Sequence, residues 1–213
     1  MSQSIIEQGT AEWKAERLGK VTASRIADLM AKTKTGWGAS RANYRAQLVA
    51  ERLTGKLADG YTNGAMQWGT ETELEARLAY ELTCAANVVQ VGFVPHPEIE
   101  QSGASPDGLV GASGLVEIKC PLTATHIETL LSGAVPSKYA MQMQWQMACT
   151  GRLWCDFVSY DPRMPEDMRL WVCTIQRDDK LIKDLEREVR VFLAEIDDTV
   201  AALCKRYRQE EAA

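Results

Sequence analysis

The chain has 213 residues, with 24 Lys and Arg against 29 Asp and Glu, for a formal net charge of −5. Hydrophobic residues at 46% and charged ones at 25% fit an ordinary globular domain, and the length suffices for one substantial core. The acidic balance excludes a uniformly basic surface for nucleic acid, because such binding is mostly phosphate neutralisation; any basic face must be local, with acids carried elsewhere, as in 71–81 and 178–188.

A short polar tail precedes a helix predicted over Thr10–Gly19, with Trp13 and Leu18 apolar among charges. Ser24 opens a second helical pattern through Ile26, Leu29 and Met30, where its hydroxyl suits an N-cap. Residues 32–38, Lys-Thr-Lys-Thr-Gly-Trp-Gly, read as a basic, glycine-bearing loop. Asn43–Thr54 reads as a helix ended by Gly55, and helical spacing resumes over Ala65–Leu82 after the Gly/Asn-rich stretch 59–64. Glu71, Glu73 and Glu75 lie too close together to share one helical face, so at most one points at any given site. Val88–Val94 is a β-rich run closed by Pro95 and is expected to pair with a strand over Ala104–Val110. That strand and Leu115–Cys120 flank a Gly-Ala-Ser-Gly turn, which reads as a hairpin and completes a three-stranded meander. Thr123–Leu131 is predicted helical up to Ser132-Gly133, and Pro136 begins another helix. Its Met and Trp residues read as core, whereas Gln142 and Gln144 lie about 200° apart and cannot share a role. Strands over Arg152–Tyr160 and Arg169–Ile175 complete the sheet. A long helix over Asp178–Arg208 carries an apolar stripe of Leu181, Leu185, Val189, Phe192, Ile196 and Val200.

The result is a single α/β domain: 1–87 mostly helical, 88–176 a sheet core, and 177–213 a C-terminal helix. The six cysteines form no C-x-x-C pair and read as core thiols rather than disulfides, zinc ligands or an iron–sulfur site. With no apolar run long enough to span a bilayer and no N-terminal basic-then-apolar signal, a cytoplasmic location is expected.

The hairpin carries the chemistry. In Leu115–Cys120 the side chains of Val116, Ile118 and Cys120 point one way, and those of Glu117 and Lys119 the other. Asp107 joins Glu117 only if the connecting loop has an odd number of residues, as Gly111–Ser113 or Val110–Gly114 would give. Two carboxylates converging on one spot repel unless a cation lies between them, and hard oxygen ligands suit Mg²⁺. Water on such an ion is a nucleophile for phosphodiester hydrolysis. A lysine within reach orients that water, or accepts its proton if the site lowers the lysine pKa. Taken alone, alternating Glu and Lys is also an ordinary solvated strand face.

Ser105-Pro106-Asp107-Gly108-Leu109 followed by Glu117-Ile118-Lys119-Cys120-Pro121 resembles the active-site strands of the lambda exonuclease (YqaJ-type) family of alkaline phage exonucleases. The similarity continues in Trp13…Arg17-Leu18-Gly19…Thr22-Ala23-Ser24 and Trp68-Gly69…Glu73. It extends to Tyr139…Gln142-Met143-Gln144 and Tyr160-Asp161-Pro162-Arg163-Met164. This resemblance implies a restriction-endonuclease-like fold, a mixed central β-sheet with a catalytic hairpin flanked by helices. It implies a processive, Mg²⁺-dependent 5′-to-3′ exonuclease on linear double-stranded DNA. Such an enzyme releases 5′-mononucleotides and leaves a 3′ overhang for phage-type recombination by single-strand annealing. On that reading Asp107, Glu117 and the Ile118 carbonyl hold metal, and Lys119 orients water. Glu73, with Glu71 as fallback, supports a second Mg²⁺, and Mn²⁺ is an acceptable substitute. The resemblance assigns Gln144 to the active-site edge, and Arg17, Ser24 and Ser105 to a pocket for the 5′-terminal phosphate. Lys34 is assigned a groove or phosphate contact, and Met66 an apolar wedge between terminal base pairs. A ring-shaped homotrimer around DNA and a single-strand annealing partner are also implied. Two competing readings are an end-independent nicking or restriction-type endonuclease, and a non-catalytic DNA-end-binding protein.

Overall fold

The computed structural model describes residues 6–58 and 64–208. In chain order its N-terminal half contains α1 (Ala11–Arg17), β1 (Val21–Thr22), α2 (Ile26–Leu29), β2 (Lys32–Thr33), β3 (Gly36–Trp37), α3 (Ala39–Thr54) and α4 (Gly64–Cys84). Five strands follow: β4 (Val88–Val89), β5 (Val94–Pro95), β6 (Ser102–Ala104), β7 (Gly108–Val110) and β8 (Gly114–Lys119). The chain continues with α5 (Thr123–Ser132), α6 (Ser137–Thr150), β9 (Trp154–Tyr160), β10 (Leu170–Gln176) and α7 (Asp179–Tyr207).

The five-stranded sheet runs β10-β9-β8-β7-β4, with β8 and β9 parallel and every other neighbour antiparallel. Its two faces are written into β8. Leu115 packs against Met143 and Met147 of α6, while Val116 and Ile118 pack against Ala76 and Tyr80 of α4. The mixed sheet with helices on both faces is the expected architecture. The β7–β8 register pairs Val110 with Gly114, leaving Gly111–Ser113 as the loop, and Gly111 takes a left-handed φ of +53°. Three loop residues satisfy the odd count, so Asp107 and Glu117 fall on one face.

The strand expected over Ala104–Val110 is instead two strands in two sheets. β6 pairs with β5 and, in parallel, with β1, whereas β7 pairs with β4 and β8. Pro106 sits at the break, since it has no N–H to give a ladder. The Val88–Val94 run divides in the same way, its first two residues joining β7 and its last joining β6. This division brings α1 and the residues after β1 beside Ser105.

The long α7 turns Leu185, Val189, Phe192 and Ile196 into a core shared with Tyr44 and Leu48 of α3, Trp145 of α6 and Ala104 of β6. It therefore covers the helical half and the small sheet. Helices α3, α5 and α6 close on Gly55, Gly133 and Gly151 in the left-handed conformation, but α4 closes on Ala85 at φ +50°. A Cβ there crowds the backbone. Ala85→Gly should raise stability by about 1 kcal/mol, hence Tm by about 2–4 °C, measurable by circular dichroism. An unchanged Tm would show that Ala85 carries no strain.

Candidate active site

Asp107 lies just before β7, and its Oδ2 accepts a hydrogen bond from the Ile118 backbone N–H across the hairpin at 2.7 Å. Glu117 is fully buried and ion-paired with Lys119. Taking a carboxylate out of water is costly unless its oxygens are bonded. Two amides from α6 do this: Gln142 Nε2 donates to Oε1 at 2.6 Å, and Gln146 Nε2 donates to Oε2. Residues four apart share a helix face, so both reach the same carboxylate. Gln144, the expected glutamine, is on the far side of α6. It donates to the Gln176 carbonyl at 2.8 Å and accepts from the Asp178 N–H at 2.9 Å, pinning the start of α7 to the end of β10. Helical phase thus corrects the assignment, and Gln142 and Gln146 are the glutamines at the site.

Burial, and then the neighbouring Glu117 charge, push the Asp107 carboxyl well above the usual carboxylate range, and Lys119 only partly offsets them. Burial alone would depress the Lys119 ammonium, but the charges of Glu117 and Asp107 outweigh it and raise its pKa. Beside these two carboxylates Lys119 is held as an ammonium in the metal-free protein, which favours the water-orienting donor role over that of a base. Glu73 on α4 feels the same centre. Its carboxyl is raised by burial, with Lys119 opposing and Glu117 reinforcing the shift. Glu71 faces solvent, and Glu75 accepts the Tyr160 hydroxyl at 2.8 Å.

Among the described residues no three His, Cys, Asp or Glu side chains are grouped as a metal cage, and Glu73 is tied to Asp107 and Glu117 through the charge it feels from that centre. The nucleus of the site is two carboxylates and the backbone at Ile118. This donor set fits Mg²⁺, which is commonly held by one or two carboxylates and keeps several waters. The raised Asp107 carboxyl points the same way, because a cation there would offset both the burial and the Glu117 repulsion behind the shift.

Asp107, Glu117, Lys119 and Gln142 open onto a cavity of about 180 Å³ whose other wall is Gln8, Trp13, Arg17, Ala23, Ser24 and Ser105. The β1–β6 register, Thr22 opposite Gly103, carries the following residues toward Ser105. Ser105 Oγ accepts from Trp13 Nε1 at 2.9 Å and from Arg17 Nη1 at 3.2 Å, and the Arg17 guanidinium lies 4.1 Å above the Trp13 ring. With both lone pairs taken, the Ser105 hydroxyl hydrogen is free to donate to an incoming acceptor. Arg17, Ser24 and Ser105 thus form a donor-lined wall facing the carboxylates. Ser24 is no N-cap, however. It sits inside a 3₁₀ turn over Ala23–Arg25, ahead of the four-residue α2, and its Oγ is 3.5 Å from Thr22 Oγ1.

Lys34 is exposed at the tip of the β2–β3 hairpin, away from the cavity lining. The Met66 side chain lies outside the described residues. The Trp68 and Asp161-Pro162-Arg163 motifs meet: Arg163 stacks 4.3 Å over Trp68, grips the buried Asp161 at 2.7 Å and reaches the Pro121 carbonyl. Sequence reasoning passed over Gln8, whose Nε2 donates to the Val91 and Pro106 carbonyls at 2.9 and 2.8 Å and braces the segment before Asp107. No local signal marks it. Gln146 did carry one, as a second glutamine four residues after Gln142 in a helix otherwise rich in Met and Trp.

Residues 12–153 match the YqaJ-like viral recombinase domain. Among solved structures the chain is similar to an alkaline exonuclease from Laribacter hongkongensis, LHK-Exo. The two are 53% identical with a TM-score of 0.88, over 94% of this chain and 99% of that one. The match is the same to LHK-Exo in complex with dAMP. A phage related exonuclease from Haemophilus somnus 129PT, 18% identical, shares the fold with a TM-score of 0.72 over 86% of this chain and 96% of that one. The fold is restriction-endonuclease-like. No curated protein matches the chain.

Proposed function

The chain belongs to the YqaJ-like viral recombinase family, and we propose that this DNA exonuclease of recombination is Mg²⁺-dependent and degrades linear duplex DNA processively from its 5′ ends. It releases 5′-mononucleotides and leaves a 3′ overhang. One observation carries the proposal: the donor-lined wall of Arg17, Ser24 and Ser105 and the carboxylates Asp107 and Glu117 line one cavity. A terminal phosphate held by the first set places the adjacent phosphodiester beside the second. Polarity follows from which end carries that phosphate.

Each protein group then has a task. Arg17, its plane fixed on Trp13, offers a guanidinium fork to phosphate oxygens, and Ser105 adds its hydroxyl hydrogen. Asp107, Glu117 and the Ile118 carbonyl would hold Mg²⁺ or Mn²⁺, which supplies a Lewis acid and an activated water. Lys119, as an ammonium, donates a hydrogen bond that orients the nucleophile and offsets charge building on the phosphate. Lys34 is assigned to the duplex further out.

The resemblance extends the proposal to a homotrimeric ring, to a single-strand annealing partner and to a cytoplasmic setting. The exposed leucines Leu74, Leu78 and Leu82, one turn apart on α4, support a subunit contact. Among the described residues no helix is long and apolar enough to cross a membrane.

The test is digestion of linear duplex DNA, 5′-phosphorylated or 5′-hydroxylated, beside a covalently closed circle. The wild type should degrade the phosphorylated strand fastest and spare the circle. Arg17→Gln should lower the preference for the phosphate about 10–100-fold, the worth of a charge-assisted hydrogen bond of about 1.5–3 kcal/mol. Cleavage of the circle would replace this reading with an endonuclease, and indifference to the 5′ group would remove the phosphate pocket.

A further inference from the structure

We infer that Gln146 is a positioning residue that makes Glu117 a ligand with one free edge for the metal. The inference rests on the metal reading above. Of the two amides on Glu117, only Gln142 lines the cavity; Gln146 is fully buried, outside its lining, and can act on a substrate only through Glu117. Its surroundings sharpen the point. Met143, Trp145 and Met147 on the same helix are all fully buried apolar side chains. A methionine would fill the position without the cost of withdrawing an amide from water. What the amide gains there is Oε2 of Glu117. At its other end the Cys155 thiol lies 4.0 Å from Gln146 Oε1.

A carboxylate presents about four lone-pair sites. Gln142 and Lys119 both lie on Oε1, and Gln146 takes one side of Oε2. Among the described residues the remaining side of Oε2 is left without a protein partner, and the cation is assigned to it. The terminal torsion of a glutamate is soft, so the carboxylate keeps this edge in a fixed direction only while both amides hold it. Removing Gln146 leaves the charge of Glu117 in place and loses its orientation.

The experiment is calorimetric titration of Mn²⁺ into the full chain without DNA, comparing wild type, Gln146→Met and Asp107→Asn. Partners that orient a metal ligand are worth about 10–100-fold in affinity. Gln146→Met should therefore weaken Mn²⁺ binding by that factor and raise the Mg²⁺ concentration for half-maximal activity in parallel. kcat at saturating metal should stay within a few-fold. A merely structural role would reduce the fraction of binding-competent protein and leave the affinity of the remainder unchanged, which would overturn the inference. If Gln146→Met does not fold, Gln146→Asn, which withdraws the amide by one methylene, carries the same expectation. Wild-type protein that binds no Mn²⁺, with a trace like that of Asp107→Asn, would overturn the metal reading and this inference with it.

Discussion

Asp107→Asn should abolish nuclease activity, by about 10³-fold or more, and yet raise the melting temperature of the metal-free protein. The first effect follows from removing one of the two carboxylates, Asp107 and Glu117, proposed to hold the metal, since about 4 kcal/mol of transition-state stabilisation corresponds to that factor. The second follows from linkage. The Asp107 carboxyl is held well above its unfolded value of about 3.9, through burial and the charge of Glu117. Between those two values the folded protein keeps a proton that the unfolded chain has lost, so stability falls as pH rises through the folded pKa. The penalty therefore grows as the pH moves above the unfolded value. Asparagine carries no charge and retains an oxygen for the Ile118 N–H, so the penalty disappears. Paired thermal melts in EDTA at pH 8 measure this directly. A variant less stable than wild type there would mean that Asp107 is held as a favourable anion, contrary to the geometry. Added Mn²⁺ should narrow the gap by stabilising the wild type alone.

Lys119→Met should lower kcat by about 10²–10⁴-fold, the range for a positioned proton-handling or donor group. The informative part is the pH profile. If Lys119 works as a permanently charged donor, the wild-type rate should show no limb from lysine ionisation between pH 7 and 10. A rising limb near pH 7–8 that vanishes in Lys119→Met would identify the lysine as a base and sink the donor role. The substitution also leaves Glu117 buried with only its two amides, so the variant should be melted alongside to establish that it is folded.

What could be read from the sequence was what depends on local period. The two-residue repeat of 115–120 put Glu117 and Lys119 on one face, and the parity of a three-residue loop put Asp107 there too. Helix ends marked by glycine were legible at Gly55 and Gly133, whereas Ala85 gave no warning of its conformation. The failures have tertiary causes. Gln142 and Gln144 were recognisable as alternatives, but the phase of α6 against the sheet chose Gln142, and with it Gln146 one turn later. The character of Lys119 depends on burial and two carboxylates acting in opposite senses, a balance no spacing reveals. The splitting of Ala104–Val110 between two sheets was the exception. Pro106 announced it, and a proline in a supposed central strand should have been taken as the break.

That break has a consequence for measure. Ser105 and Asp107 stand on either side of Pro106, on a crossing of three residues whose ends are fixed in different sheets. Two residues of extended chain span about 7 Å at most, and the proline ring restricts how that span can flex. On the proposed reading, the group that grips the end of the strand and the group beside the bond to be broken are thus marks on a single short ruler. On that reading the length of the product would be set by covalent geometry rather than by recognition of any base, and one inserted residue would lengthen the gauge.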